Sequence, residues 1–347
     1  MGSKPLDGIV GQPGAVTALR RGLDGADVPQ SLLFVGPEGT GKSAAAIAFA
    51  KELLGDAPLS NRRIDEGQHP DVVRIVPDGE YTKIWQLWNR PGHPAGALET
   101  LPFSPVAGKR RIYLFDKAET LNEESANSLL KALEEPPPYV QFVLCAPSPG
   151  SVLPTILSRC RLVTFGPVAS EEIVAALIRD RGVAESEARL LAAYAEGSPG
   201  KAFRLADAPE LRVQRDALLD LAARVAEVPA IGAFRLAEEL RKLSTPPKSK
   251  KSDGDDEAEK STRGDLGRAL DILALWHGDL LRASLHGEGA SLIHADRRDS
   301  VVRAARKYRP EQLAENLETL FAFRRRIARN ANAQLATEVL FMKLVPR

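Results

Sequence analysis

The chain has 347 residues, 44% hydrophobic and 27% charged, an ordinary profile for a globular protein with room for about two or three domains. Its 47 basic and 46 acidic side chains leave a formal net charge of +1, so any nucleic-acid contact must come from a local patch. Two cysteines, Cys145 and Cys160, exclude a disulfide framework and a four-cysteine metal site, and no apolar run approaches the roughly 18 residues of a membrane-crossing helix. The opening MGSKPLDGIVGQ has no apolar signal core, and Leu6 stands where a myristoylation signal needs Ser or Thr, so a cytoplasmic location is expected.

Ile9-Val10-Gly11-Gln12 leads into a helical pattern carrying Val16, Leu19 and Leu23. Leu32-Leu33-Phe34-Val35 reads as a short buried strand. It is followed by Gly36-Pro37-Glu38-Gly39-Thr40-Gly41-Lys42-Ser43 and an alanine-rich helix. Strand, glycine loop and helix in that order, with GxxxxGKS spacing, form the pattern of a phosphate-binding P-loop. The three glycines let successive N–H groups turn toward an anion, and the helix adds its positive N-terminal end. Lys42 can reach the outer phosphates and Ser43 can hold magnesium, so ATP or ADP with Mg is the expected cofactor.

Residues 57–110 are irregular, with Trp85 and Trp88 in a short helix and Val72-Val73-Arg74-Ile75-Val76 as a further strand. Arg111-Ile112-Tyr113-Leu114-Phe115-Asp116 is an apolar strand ending in a carboxylate, and beside a P-loop Asp116 is expected to serve the magnesium from just outside its direct ligands. A helix over 122–135 places Ala126, Leu129, Leu130 and Leu133 on one face and stops at Pro136-Pro137-Pro138. Val140-Gln141-Phe142-Val143-Leu144-Cys145 is another strand, with Cys145 as a small buried hydrophobe, and Leu162-Val163-Thr164-Phe165 a last short one. Strands alternating with helices predict a parallel, doubly wound α/β sheet.

From Ser170, read as a helix N-cap, the strand signals fade. Residues 171–181, 186–195 and 201–205 read as three helices, with Gly197-Ser198-Pro199-Gly200 as a break. Residues 210–242 are helical again. The stretch 244–264 has almost no apolar side chain and mixes charge blocks, so it is expected to be a disordered insert. Helices resume at Asp265, with Leu313, Leu317, Leu320 and Phe321 on one face and Leu335, Val339 and Met342 on another. The basic cluster Arg324-Arg325-Arg326 with Arg329 reads as a solvated helix face rather than a DNA contact.

Together these pieces resemble the bacterial clamp-loader subunits of the AAA+ class, and among them the delta prime subunits of DNA polymerase III. The resemblance rests on Ile9-Val10-Gly11-Gln12, the P-loop, and Ser125-Ala126-Asn127-Ser128-Leu129-Leu130-Lys131-Ala132-Leu133-Glu134-Glu135-Pro136. It also rests on residues 153–160 ending in Ser158-Arg159-Cys160, on Gly197-Ser198-Pro199-Gly200-Lys201-Ala202, and on Asn330-Ala331-Asn332 with Gln334-Leu335. It implies an AAA+ module at 1–166, a small helical lid at 167–208 and an all-α collar at 209–347. The implied machine opens a ring-shaped sliding clamp and closes it around primer–template DNA. Motor ATPase subunits, the delta subunit, the clamp and that DNA are the implied partners, with no membrane. Arg159 is implied to be an arginine finger acting in trans on a neighbouring subunit's ATP.

Several positions depart from an active motor of this family. Lys117 follows Asp116 where a water-polarising Glu is found, and Glu119 is offset from that place. Cys145, Ala146 and Pro147, with Ser148 the nearest hydroxyl, stand where a polar residue senses the γ-phosphate. Gly200 stands where the lid carries an Arg. Residues 53–70 lack the cysteines of the family's zinc module, and His69 and His93 make no site by themselves, so no zinc is expected. The expectation is a nucleotide cradle with weak or absent hydrolysis. The alternatives are a gamma/tau-like motor ATPase, a stand-alone AAA+ ATPase, and a scaffold with a vestigial P-loop.

Overall fold

The computed structural model describes residues 4–24, 28–208, 210–244, 255–327 and 333–346. The helix α1 (Pro13–Asp24) precedes β1 (Ser31–Val35), which runs into α2 (Lys42–Leu53) and α3 (Pro58–Asp65). Next come β2 (Val72–Ile75), the one-turn α4 (Ile84–Leu87), β3 (Arg111–Phe115), α5 (Glu123–Glu134), β4 (Val140–Ala146), α6 (Pro154–Leu157) and β5 (Arg161–Thr164). The strands pair in parallel in the order β2-β3-β4-β1-β5, as the apolar strand pattern predicted. Every residue of β1, β3 and β4 is buried, because helices cover both faces of a parallel sheet. Alternation along β1 sends Leu32 and Phe34 to a core shared with α1 and α2, and Leu33 and Val35 to a core shared with α5. The start of α5 is fixed by Asn122, whose side chain accepts the Ser125 amide at 2.8 Å.

The remaining elements are helical: α7 (Ser170–Arg181), α8 (Glu185–Ala195), α9 (Pro199–Ala206), α10 (Glu210–Val225), α11 (Ala233–Leu243), α12 (Asp255–His286), α13 (Arg298–Ala305), α14 (Pro310–Ile327) and α15 (Ala333–Leu344). Ser170 is the first helical residue of α7, and the N-cap is Ala169, which has no side chain to accept a bond. Of the segment expected to be disordered, 245–254 lie outside the described residues. From Asp255 the chain is already helix α12, ten residues ahead of the expected start at Asp265. Its Glu-Ala-Glu-Lys composition favours helix and extends one that packing downstream has nucleated. Arg329 and Asn330-Ala331-Asn332 also lie outside the described residues.

The chain clusters into two compact units, Met1–Gly182 with Ala195–Ala202, and Val183–Tyr194 with Phe203–Arg347. In the first, Asp71 is fully buried and accepts the amides of Val106, Ala107 and Gly108 at 2.7, 2.6 and 2.9 Å. The buried Arg111 lies beside it and donates to the carbonyls of Thr100 and Phe103, so this pair ties the irregular 97–108 segment to the start of β3. In the second unit, Trp276 and Leu273 of α12 pack with Leu219, Leu240, Leu313 and Phe341. Asp279, also fully buried, accepts from the amides of Ile293 and His294 and from the His294 ring. The His294 ring also bonds Tyr194 at 2.6 Å. Arg324 of the basic cluster pairs with Asp271, in keeping with a charge that serves its own helix bundle.

Burial alone would raise the carboxyl pKa of Asp71 and Asp279, but the donors around each outweigh it and hold both below the ordinary 3.8. The stability they contribute is therefore complete above that value and is lost as pH falls through the lower folded-state values. Asp71→Ala, which strands Arg111, should cost about 3–5 kcal/mol in urea unfolding. The urea midpoint of the wild type should drop below about pH 4, and Asp71→Asn should flatten part of that drop. A pH profile in Asp71→Asn as steep as that of the wild type would contradict this assignment.

Candidate nucleotide-binding site

The P-loop leaves β1 at its carboxyl end, the edge of a parallel sheet where crevices form. Gly36, Gly39 and Gly41 adopt φ of 154°, 75° and 101°. A Cβ on Gly36 would lie 2.1 Å from the Phe165 carbonyl oxygen, and one on Gly39 would lie 2.1 Å from Ser198 Oγ. Here glycine is demanded both by the turn and by neighbours that press against the loop. The first helical bond of α2 runs from the Ala45 amide to the Gly41 carbonyl, so the amides of Lys42, Ser43 and Ala44 precede it without an intrahelical acceptor.

Lys42 Nζ donates to the carbonyls of Gly36 and Pro37 at 2.5 and 2.8 Å, and Thr40 Oγ1 also donates to Pro37. Burial holds the Lys42 ammonium below the ordinary lysine value, against the pull of Cys145, Glu119 and Glu38. The loop is braced from outside by the buried Gln12. Its side-chain amide donates to the Thr40 and Gly166 carbonyls at 3.1 and 2.7 Å, and its Oε1 accepts the Gly166 amide. The sequence marks Gln12 only as part of a motif, and its bracing role depends on Gly166, 154 residues away. On the other side the Gly200 amide donates to the Gly39 carbonyl at 2.9 Å. Gly200 thus touches the P-loop directly through its backbone.

Asp116 follows β3, and its carboxylate accepts from Arg74 of β2 at 2.7 Å, a partner the sequence did not suggest. Lys117 is exposed. Directly after it a turn of 3-10 helix, Ala118–Thr120, which carries Glu119, packs against β4. The charge of the offset Glu119 acts against the lowering of Lys42 by burial and adds to the raising of Cys145. One of its carboxylate oxygens is buried without a hydrogen-bond partner. Cys145 pairs in register with Phe34, one residue before the end of β1. Its thiol is pushed up to about 12 by burial and by Asp116, with Lys42 and Ser43 pulling the other way, so it is an inert packing group as its sequence context suggested.

These residues fit a nucleotide's phosphate chain with magnesium. Close backbone approach at Gly36 and Gly39, uncapped amides at the head of α2, and an ammonium held in the loop mouth suit phosphate, while Ser43 and Asp116 carry hard oxygen donors of the kind a magnesium ion would need. Bound ATP would supply the reactive phosphoanhydride, and the chain's own part is to cradle it.

Arg159 lies apart from this constellation. It follows α6, where Nη1 donates to the Thr155 carbonyl at 2.9 Å and Nη2 pairs with Glu134, the last residue of α5. No P-loop residue is among its partners.

The family model described as DNA polymerase III, delta subunit, matches residues 11–169. The DNA polymerase III subunit delta' of Bacillus subtilis (strain 168) is 26% identical over 341 residues, covering 96% of each chain. The DNA polymerase III subunit tau of Escherichia coli (strain K12) is 30% identical over 213 residues, 57% of this chain and 32% of that one. A solved gamma subunit-related protein from Thermotoga maritima covers 90% of this chain and 99% of that chain at 19% identity, with a TM-score of 0.43. With its P-loop sheet, the chain is thus similar end to end to a delta prime subunit of DNA polymerase III, and over residues 11–169 it matches the model of that subunit family.

Proposed function

We propose that the chain acts in the clamp loader as a nucleotide-binding but hydrolytically weak subunit that helps place the sliding clamp on primed DNA. In this reading residues 1–166, 167–208 and 209–347 serve as AAA+ module, lid and collar. Motor ATPase subunits and delta are its partners in the assembly, and the clamp and primer–template DNA are its targets. ATP or ADP with Mg sits on Gly36-Pro37-Glu38-Gly39-Thr40-Gly41-Lys42-Ser43 with Asp116, and Arg159 stabilises charge developing on the γ-phosphate of a neighbour's ATP.

The observation that carries the reading is Lys117. An exposed cation directly after Asp116 cannot accept a proton from an attacking water, in a loop otherwise built for phosphate. Gly200 meets the loop with a backbone amide alone, so the lid offers no cation to the phosphates at that point. Similarity to tau favours a motor reading for the shared module, but the motor's glutamate is what this chain lacks.

Lys42→Ala should weaken MgATP binding by tenfold or more in a fluorescent-nucleotide titration, since about 1.4 kcal/mol is one decade and a charge-assisted bond contributes at least that. Equal affinity would favour a vestigial loop. Lys117→Glu should raise the isolated chain's steady-state hydrolysis by about tenfold or more; an unchanged rate would show that the glutamate is not the missing part. In a loader where only the adjacent motor site is active, Arg159→Ala should slow hydrolysis by about three orders of magnitude. An unaltered rate there would sink the finger.

A further inference from the structure

Arg159 is held at two points by its own subunit. Nη1 donates to the Thr155 carbonyl at 2.9 Å, with Ser158 Oγ at 3.4 Å, and Nη2 pairs with a carboxylate oxygen of Glu134. Nε is buried without a partner. A guanidinium has five N–H donors. With Nη1 on the carbonyl and hydroxyl, one Nη2 hydrogen on Glu134 and Nε enclosed, an Nη2 N–H remains for an outside oxygen.

Glu134 is an unusual residue for its place. It ends α5, where the helix dipole disfavours a carboxylate, and its helix does not need it: the C-terminal turn also carries Lys131, and Pro136 follows to stop the chain. Nor does an ion pair this exposed contribute much stability. What the pair does is remove rotamer freedom from a long side chain before any encounter. Ordering such a chain is among the larger side-chain entropy terms, and a group fixed beforehand does not meet that cost when it binds.

We infer that Glu134 is a positioning residue for Arg159, fixing the guanidinium plane so that its remaining Nη2 N–H meets a phosphate oxygen of a neighbouring subunit. The inference rests on the trans reading of Arg159 and adds the group that prepares it. Glu134 does not touch the nucleotide; it acts through Arg159. Its amide analogue keeps the accepting oxygen at the same reach, so the conservative change should preserve the function that truncation removes.

The test uses the assembled loader with one active motor site next to this subunit. The values of kcat and KM for ATP are measured for wild type, Glu134→Ala, Glu134→Gln, Arg159→Ala and the Glu134→Ala/Arg159→Ala double variant. Thermal melting of each free subunit and gel filtration of each assembly accompany them. Glu134→Ala should lower kcat about tenfold with KM unchanged. Glu134→Gln should keep most of the rate, and Glu134→Ala should have no further effect once Arg159 is gone. If Arg159→Ala is silent, the finger reading fails and this inference goes with it. If Arg159→Ala is severe while Glu134→Ala leaves kcat unchanged or raises it, the finger stands and the positioning role is overturned. Should Glu134→Ala fail to assemble, Glu134→Met, of similar length but without an accepting oxygen, takes its place: a kcat about tenfold below wild type beside a near-wild-type Glu134→Gln sustains the inference, and a Glu134→Met rate equal to wild type, or a Glu134→Gln rate as low as that of Arg159→Ala, overturns it.

Discussion

Backbone pressed against backbone is the constraint on which the rest of this site depends. Gly36 sits where any side chain would drive into the Phe165 carbonyl, and Gly39 where it would meet Ser198. Gln12 then stitches Thr40 to Gly166 from within the buried interior, and the Gly200 amide closes on Gly39. The loop is thus held from several directions by groups that carry no charge. Its shape is set by the fold rather than awaiting a ligand, which is what a low-cost phosphate cradle needs.

Charge is distributed very differently around that cradle. Lys42 is drawn into the loop, Asp116 is engaged by Arg74, and the residue after Asp116 is an exposed lysine. The charge of Glu119 bears on Lys42, yet from within a turn and with a buried oxygen that no donor meets. These groups can hold an anion and its counter-ion. A base placed to activate water is a separate requirement, met in this chain by no residue directly after Asp116. The cation on the opposite errand, Arg159, is fastened to α5 and α6 of its own module and has none of its bonds in its own P-loop. The P-loop and Arg159 thus occupy separate parts of one sheet domain.

The helical unit is organised by a different device. Asp279, His294 and Tyr194 form a buried polar chain beside Trp276, and Arg215 reaches it through Tyr194 at 3.2 Å. A satisfied buried network of this kind fixes how helices meet more strictly than apolar contact alone. The sequence showed these helices through their apolar spacing but not this network, because a histidine, a tyrosine and an aspartate spread over a hundred residues leave no local pattern.

What the sequence determined was everything decided within one short segment. The P-loop, the buried strands, the proline stop after α5, the inert Cys145 and the lysine at 117 all follow from spacing and residue type along a few neighbours. The α/β class followed as well, because strand and helix periods alternate in the text of the chain. Tertiary structure alone decided which distant residues complete these local pieces: Gln12 with Gly166, Arg74 with Asp116, Glu119 near Lys42, Glu134 with Arg159. The helix α12 also reaches back to Asp255, into a stretch whose few apolar side chains predict disorder. Hydrogen bonds and ion pairs act over a few ångströms in space, and only the packing of the sheet determines which parts of the chain come that close.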